Sequence, residues 1–128
     1  MNDAELAAHL AADAGRILLE VRESGRHHGK DLGRAGDAEA NAVLVAALRE
    51  LRPDDGLLSE EEKDNLDRLS LSRTWIVDPV DGTREYGEAR SDWAVRVQAQ
   101  HPTNQPTARI RAQATSSKGP DRLLASAC

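Results

Sequence analysis

The sequence predicts an α+β fold, in which helices come first and short strands ending in polar turns follow. Three observations carry this reading. Apolar residues recur at helical spacing over residues 6–21 and again over 43–51. Short runs rich in Val, Ile and Trp stand at 74–77 and, with a period of two, at 92–98. Turn chemistry punctuates the joins, as at Pro53-Asp54-Asp55-Gly56. The length of 128 residues fits one domain.

The first helix is expected to begin at Asn2, because Glu5 three residues later completes a capping-box pattern. Leu6, Leu10, Ala14, Ile17, Leu18 and Val21 then define one apolar face. From Gly25 to Gly36 the chain holds two His, four Gly and several charges, and reads as a loop in which His27, His28 and Lys30 are solvated. A second helix is expected from Asp37 to Leu51, with Val43, Leu44, Ala47, Leu48 and Leu51 facing inward and Asp37 in the N-cap position.

The apolar pair Leu57-Leu58 runs straight into Ser59-Glu60-Glu61-Glu62, and Leu66 and Leu69 predict one or two helical turns beyond it. Thr74-Trp75-Ile76-Val77 reads as a buried strand ending at Asp78. Trp93, Val95 and Val97 alternate with Ala94, Arg96 and Gln98 in a half-buried strand from Asp92 to Gln98.

After Gln98 the composition changes. Among the remaining residues only Ile110, Leu123 and Leu124 are large aliphatics, and none is aromatic. That tail carries +3, which leaves −8 for residues 1–98 of the total of −5. Too little apolar surface is present there to offset ordering entropy, so residues 99–128 are expected to be a mostly disordered tail behind a folded unit of residues 1–98.

Several function classes are set aside. An acidic chain lacks the basic face that nucleic acid requires. Cys128 is the only cysteine, so neither an internal disulfide nor a Cys-rich zinc site is expected. The N-terminus has no signal-peptide pattern and no apolar run reaches bilayer length, which together predict a cytoplasmic protein without a membrane partner.

The chemistry gathers in Asp78-Pro79-Val80-Asp81-Gly82-Thr83, directly after a strand. Pro79 cannot donate a hydrogen bond and biases Asp78 toward an extended backbone, so the chain leaves the sheet at a defined angle. Asp78 and Asp81 then converge across a tight turn, with a free backbone carbonyl between them. Such hard oxygen donors suit Mg2+. Gly82 permits close approach of backbone to ligand, and its amide with that of Thr83 is suited to hold a phosphate. The Thr83 hydroxyl is placed to orient a water. Glu60 and Glu61, at the end of the Leu57-Leu58 strand, are a source of further metal ligands.

Ser59-Glu60-Glu61 and Trp75-Ile76-Val77-Asp78-Pro79-Val80-Asp81-Gly82-Thr83 together resemble the two signature motifs of the inositol monophosphatase superfamily. The resemblance implies layered helices on an antiparallel sheet, and two-metal hydrolysis of a phosphomonoester. It implies that Glu60, Asp78 and the Val80 carbonyl bind one Mg2+, and that Asp78 and Asp81 help bind a second. It also implies that Thr83 and Asp37 activate the attacking water. Arg84-Glu85-Tyr86 and Asp92-Trp93-Ala94-Val95 look like the CysQ-like bisphosphate nucleotidase branch, whose substrate is 3′-phosphoadenosine 5′-phosphate. An inositol monophosphatase is the nearest enzymatic alternative. The resemblance runs from about residue 4 to 98 and then stops, short of complete relatives. The expectation is therefore an N-terminal half with weak or absent turnover, or a non-catalytic remnant that binds metal or a partner. An uncovered edge at Trp93, Val95 and Val97 would favour self-association.

Overall fold

The computed structural model describes residues 2–59, 73–100, 109–117 and 122–127. Two long helices, α1 (Asp3–Glu23) and α2 (Gly29–Leu51), pack on each other and against a sheet. The sheet contains β1 (Gly56–Ser59), β2 (Thr74–Asp81), β3 (Ala94–Gln100), β4 (Arg109–Ser117) and β5 (Arg122–Ala127) in that spatial order, and the short helix α3 (Thr83–Gly87) links β2 to β3. α1 lies across β3, β4 and β5, while α2 covers β1 and β2 and meets α3.

α1 follows its sequence closely. Asn2 Oδ1 accepts from the Glu5 amide at 2.8 Å, and Asn2 Nδ2 donates to Glu5 Oε1 at 3.0 Å. The cap satisfies one of the orphan amides of the first turn. Leu6, Leu10, Ala14, Leu18 and Val21 are buried on one face, with Ile17 partly buried beside them. Opposite them Leu44, Leu48, Trp75, Val77, Val95 and Val97 complete the core.

α2 starts eight residues earlier than the sequence predicted, so the Gly25–Gly36 loop shrinks to a short connection and Asp37 lies inside the helix. His28 takes the N-cap position without a side-chain hydrogen bond, and Lys30 falls in the first helical turn. The glycines that looked like loop residues serve packing instead. A Cβ on Gly36 would sit 2.5 Å from Tyr86 Cε1 and 2.9 Å from Leu18 Cδ2. One on Gly33 would sit 2.9 Å from Thr83 Cγ2. The cost of glycine in a helix, about 1 kcal/mol each, is offset by the close approach it allows.

β1 and β2 run parallel, with Ser59 paired to Val77, whereas every other neighbouring pair is antiparallel. The sheet is thus mixed rather than purely antiparallel, since a two-residue apolar run carries no sign of strand direction.

The region after Gln98 also differs from expectation. β3 reaches Gln100 and pairs with β4 from Ala94↔Thr115 to Gln100↔Arg109, and β4 pairs in turn with β5. Strand pairing draws on backbone groups that every residue but Pro carries, so a segment poor in large apolar residues can still extend a sheet. The overlooked signal is a period of two, with Ile110, Ala112 and Ala114 alternating with Arg111, Gln113 and Thr115. Trp93, Val95 and Val97 are accordingly buried, not presented on an open edge. The helical turns expected around Leu66 and Leu69 fall outside the described residues, as does Glu60.

Candidate metal and phosphate site

The end of β2 is irregular. Asp78 stands opposite Arg96 and Asp81 opposite Ala94, so three steps along β2 match two along β3. This is a bulge with one extra residue, at the point where Pro79 has no N–H to give the ladder. In a regular strand residues 78 and 81 would face opposite sides of the sheet. The extra residue resets that alternation. Arg96, directly across from Asp78 in the register, forms an ion pair with Asp81 at 2.9 Å, which ties the far side of the bulge back to β3. Pro79 and Val80 are buried and anchor the turn, while Asp78 and Asp81 are half-buried.

Gly82 follows with φ 89° and ψ 47°, a left-handed conformation that opens α3. A Cβ there would meet the Asp92 carbonyl oxygen at 3.0 Å and Glu85 Oε2 at 3.3 Å, so backbone approach requires glycine twice over. Thr83 Oγ1 donates to the Val80 carbonyl at 3.1 Å and closes the turn. A carbonyl oxygen has two lone pairs, so one remains on Val80 for a further partner.

α2 frames the other side. Gly33 abuts Thr83, Asp37 lies one turn further along, and Asn41 one turn beyond that. Residues four apart share a helix face. Asn41 Oδ1 accepts from Ser59 Oγ in a buried contact, which ties the end of β1 to the same face. Because β1 and β2 are parallel, the chain leaves Ser59 at the end of the sheet where Asp78 lies. Thus Asp78, Val80, Asp81, Gly82 and Thr83 lie in one turn, the face of α2 that carries Gly33, Asp37 and Asn41 runs beside it, and Glu60 is the next residue after Ser59.

Two carboxylates and a peptide carbonyl form a hard-oxygen donor set, and Gly82 lets their turn pack closely against the Asp92 carbonyl. This suits Mg2+, which takes oxygen ligands and retains several waters. Among the described residues, no cluster of three His, Cys, Asp or Glu side chains is found, so the donors number two side chains and one carbonyl. A cavity of about 680 Å³ opens beside Thr83, lined by Lys30, Gly33, Arg34, Thr83, Arg84 and Glu88 among others. Three cations against one carboxylate make its mouth attractive to an anion.

Tyr86 and Trp93, together with Arg22, which the sequence did not single out, hold α3 in place. Tyr86 is buried, and its hydroxyl donates to the Leu18 carbonyl at 2.5 Å. Its ring meets Trp93 edge-on at 5.3 Å between centroids. Arg22, from the last turn of α1, lies 4.7 Å from the Tyr86 ring centroid and donates to the Tyr86 and Arg90 carbonyls at 3.0 and 2.9 Å. No spacing rule links Arg22 to a turn more than sixty residues later, whereas Gly33, Gly36 and Ala40 do repeat at helical intervals.

Burial pushes the Tyr86 phenol up to about 12; Arg22 works against this, and the Glu39 and Asp37 charges add to it. The phenol must therefore be neutral in the fold. Its contribution is complete below the unfolded value near pH 10 and declines as pH rises from 10 through 12, by about 2–3 kcal/mol. Tyr86 is the sole tyrosine, so tyrosinate absorbance reports it directly. Ionisation is expected to coincide with alkaline loss of helical circular dichroism. Titration near pH 10 with the helices intact would contradict the buried placement.

A fold and a corner of this kind define a class, and the inositol monophosphatase family model matches residues 2–109. The chain belongs to that family. It is 52% identical over 99 residues to the 3′-phosphoadenosine 5′-phosphate phosphatase of Mycobacterium leprae, covering 76% of this chain and 36% of that protein. It is 32% identical over 100 residues to the 3′(2′),5′-bisphosphate nucleotidase CysQ of Salmonella typhimurium, covering 73% of this chain and 41% of the other. Among solved structures, CysQ from Bacteroides thetaiotaomicron superposes with a TM-score of 0.72 at 25% identity, over 98% of this chain and 48% of its own. The chain thus spans between 36% and 48% of the length of these relatives.

Proposed function

We propose that this chain forms the metal- and phosphate-holding part of a Mg2+-dependent phosphomonoesterase that converts 3′-phosphoadenosine 5′-phosphate to AMP and phosphate. The observation that carries the reading is the bulge at the end of β2, which turns Asp78, the Val80 carbonyl and Asp81 toward one corner next to Gly82 and Thr83. The 52% identical relative, itself a 3′-phosphoadenosine 5′-phosphate phosphatase, supports the choice of substrate.

In this reading Asp78, Asp81, Val80 and Glu60 hold the ions, which when bound supply Lewis acidity toward the phosphate and its leaving oxygen. The Gly82 and Thr83 amides orient a phosphate oxygen, and the carboxylate of Asp37 accepts a proton from a water that Thr83 positions. Lys30, Arg34 and Arg84 draw the dianion in.

Calorimetry tests the assignment without depending on turnover. In excess Mg2+ the chain is expected to bind 3′-phosphoadenosine 5′-phosphate at least about tenfold more tightly than inositol 1-phosphate, a difference of about 1.4 kcal/mol. Phosphate release measured on the same samples separates an enzyme from a chain that binds without turnover. A preference for inositol 1-phosphate would move the assignment to the inositol branch of the family.

A further inference from the structure

The ion pair between Arg96 and Asp81 bears on how many metal ions the corner accepts, and the argument rests on the proposed function above. Arg96 is an exposed residue of β3 in register with Asp78, and its Nη2 lies 2.9 Å from Asp81 Oδ2. Its guanidinium therefore stands beside one of the two carboxylates that the site offers. Both side chains of the ion pair are about half exposed, at 46% each. A pair of that exposure is weak, so a divalent ion can compete for Asp81, but only against a fixed positive charge a few ångströms away.

The register explains why this cation is local to the site. The bulge brings Asp81 round to the face on which Asp78 stands, and Arg96 is the charged β3 residue that shares this face. Val95 and Val97, its chain neighbours, point into the core and can contribute no charge. Arg90 is the next guanidinium along the chain, and it is engaged with Asp92 at 2.7 Å and reaches Glu88. Arg96 is thus the cation whose described ion pair is with a candidate metal ligand.

We propose that Arg96 occupies the place of a second cation at Asp81, so that this chain takes up one divalent ion firmly and a second only by displacing the guanidinium. Asp78 and the Val80 carbonyl serve the first ion. Asp81 is divided between Arg96 and the second. Arg96 is in this sense a specificity-determining residue for metal stoichiometry, and it needs no contact with the substrate to act.

The experiment is a Mn2+ titration of the full chain, with free Mn2+ followed by electron paramagnetic resonance. Wild type is expected to show one strong equivalent and a second at least about tenfold weaker. Arg96→Ser is expected to tighten the second equivalent by about two- to fivefold and leave the first within about 1.5-fold. Arg96→Lys, which keeps the charge, is expected to behave like wild type. Because Arg96 is exposed, circular dichroism should show all variants folded. An unchanged or weakened second equivalent in Arg96→Ser, beside an intact first, would overturn this inference alone. Absence of any saturable equivalent in all three proteins would overturn the proposed function with it.

Discussion

Asp78→Asn is expected to weaken divalent-cation binding at least about a hundredfold, to the point where calorimetry with Mg2+ or Mn2+ gives no saturable heat. The substitution keeps the shape of the side chain and removes its charge. Asp81 cannot compensate, because its carboxylate is already engaged by Arg96 at 2.9 Å. The Val80 carbonyl is neutral and shares its oxygen with the Thr83 hydroxyl. Asp78 therefore supplies charge at the first ion that neither of these groups replaces. Saturable binding of undiminished affinity in Asp78→Asn would place the metal elsewhere.

The largest effect on stability is expected from Gly36→Val. Its first carbon would lie 2.5 Å from Tyr86 Cε1, 2.9 Å from Leu18 Cδ2 and 3.0 Å from Tyr86 Cζ. None of these neighbours can withdraw easily. Leu18 is wholly buried in α1, and the Tyr86 ring is fixed by its hydroxyl bond, by Arg22 and by Trp93. Overpacking of a full core costs about 1–3 kcal/mol, and more where the neighbours are held on several sides. Removing a helical glycine returns less than about 1 kcal/mol. A net loss of about 3 kcal/mol is expected, which lowers the melting temperature by about 10 °C or more in a chain of this size. Gly25, at φ +68° with nothing within 4 Å of a built Cβ, provides the comparison. There Gly25→Ala meets only left-handed strain, about 1–2 kcal/mol. Equal melting temperatures for the two variants, followed by circular dichroism, would refute the packing argument.

The contrast between those two glycines marks what was legible in the sequence. Both read as loop residues, because glycine alone reports conformational freedom and not the neighbour that demands it. Gly25 is in a turn; Gly33 and Gly36 are where α2 meets Thr83 and Tyr86. The local signals were sound wherever one segment decides its own structure. Asn2 and Glu5 cap α1, the heptad-like row from Leu6 to Val21 faces the core, and Trp75 to Val77 forms a buried strand. The site motif was legible for the same reason, since Asp78 to Thr83 occupies a single turn.

What the sequence concealed depends on partners distant along the chain. The parallel direction of β1 is set by its pairing to β2, and the bulge by the register of β3. Arg22 and Arg96 acquire meaning only from what they meet, Tyr86 in one case and Asp81 in the other. The pairing of β4 and β5 was hidden because alanine and serine carry little apolar signal, although their backbones pair as well as any.

The brevity of α3 has one further consequence. A helix of five residues cannot persist alone, since nucleation costs more than one turn returns. Its shape is borrowed from Leu18, Arg22 and Gly36 on the two long helices. Gly82 and Thr83 thus have their geometry only while α1 and α2 are docked. Any ion that prefers this corner binds the docked state and not the loosened one, so cation concentration and global folding become a single coupled equilibrium. Chelation would then act on this chain as a mild denaturant does, shifting the whole population instead of emptying one pocket.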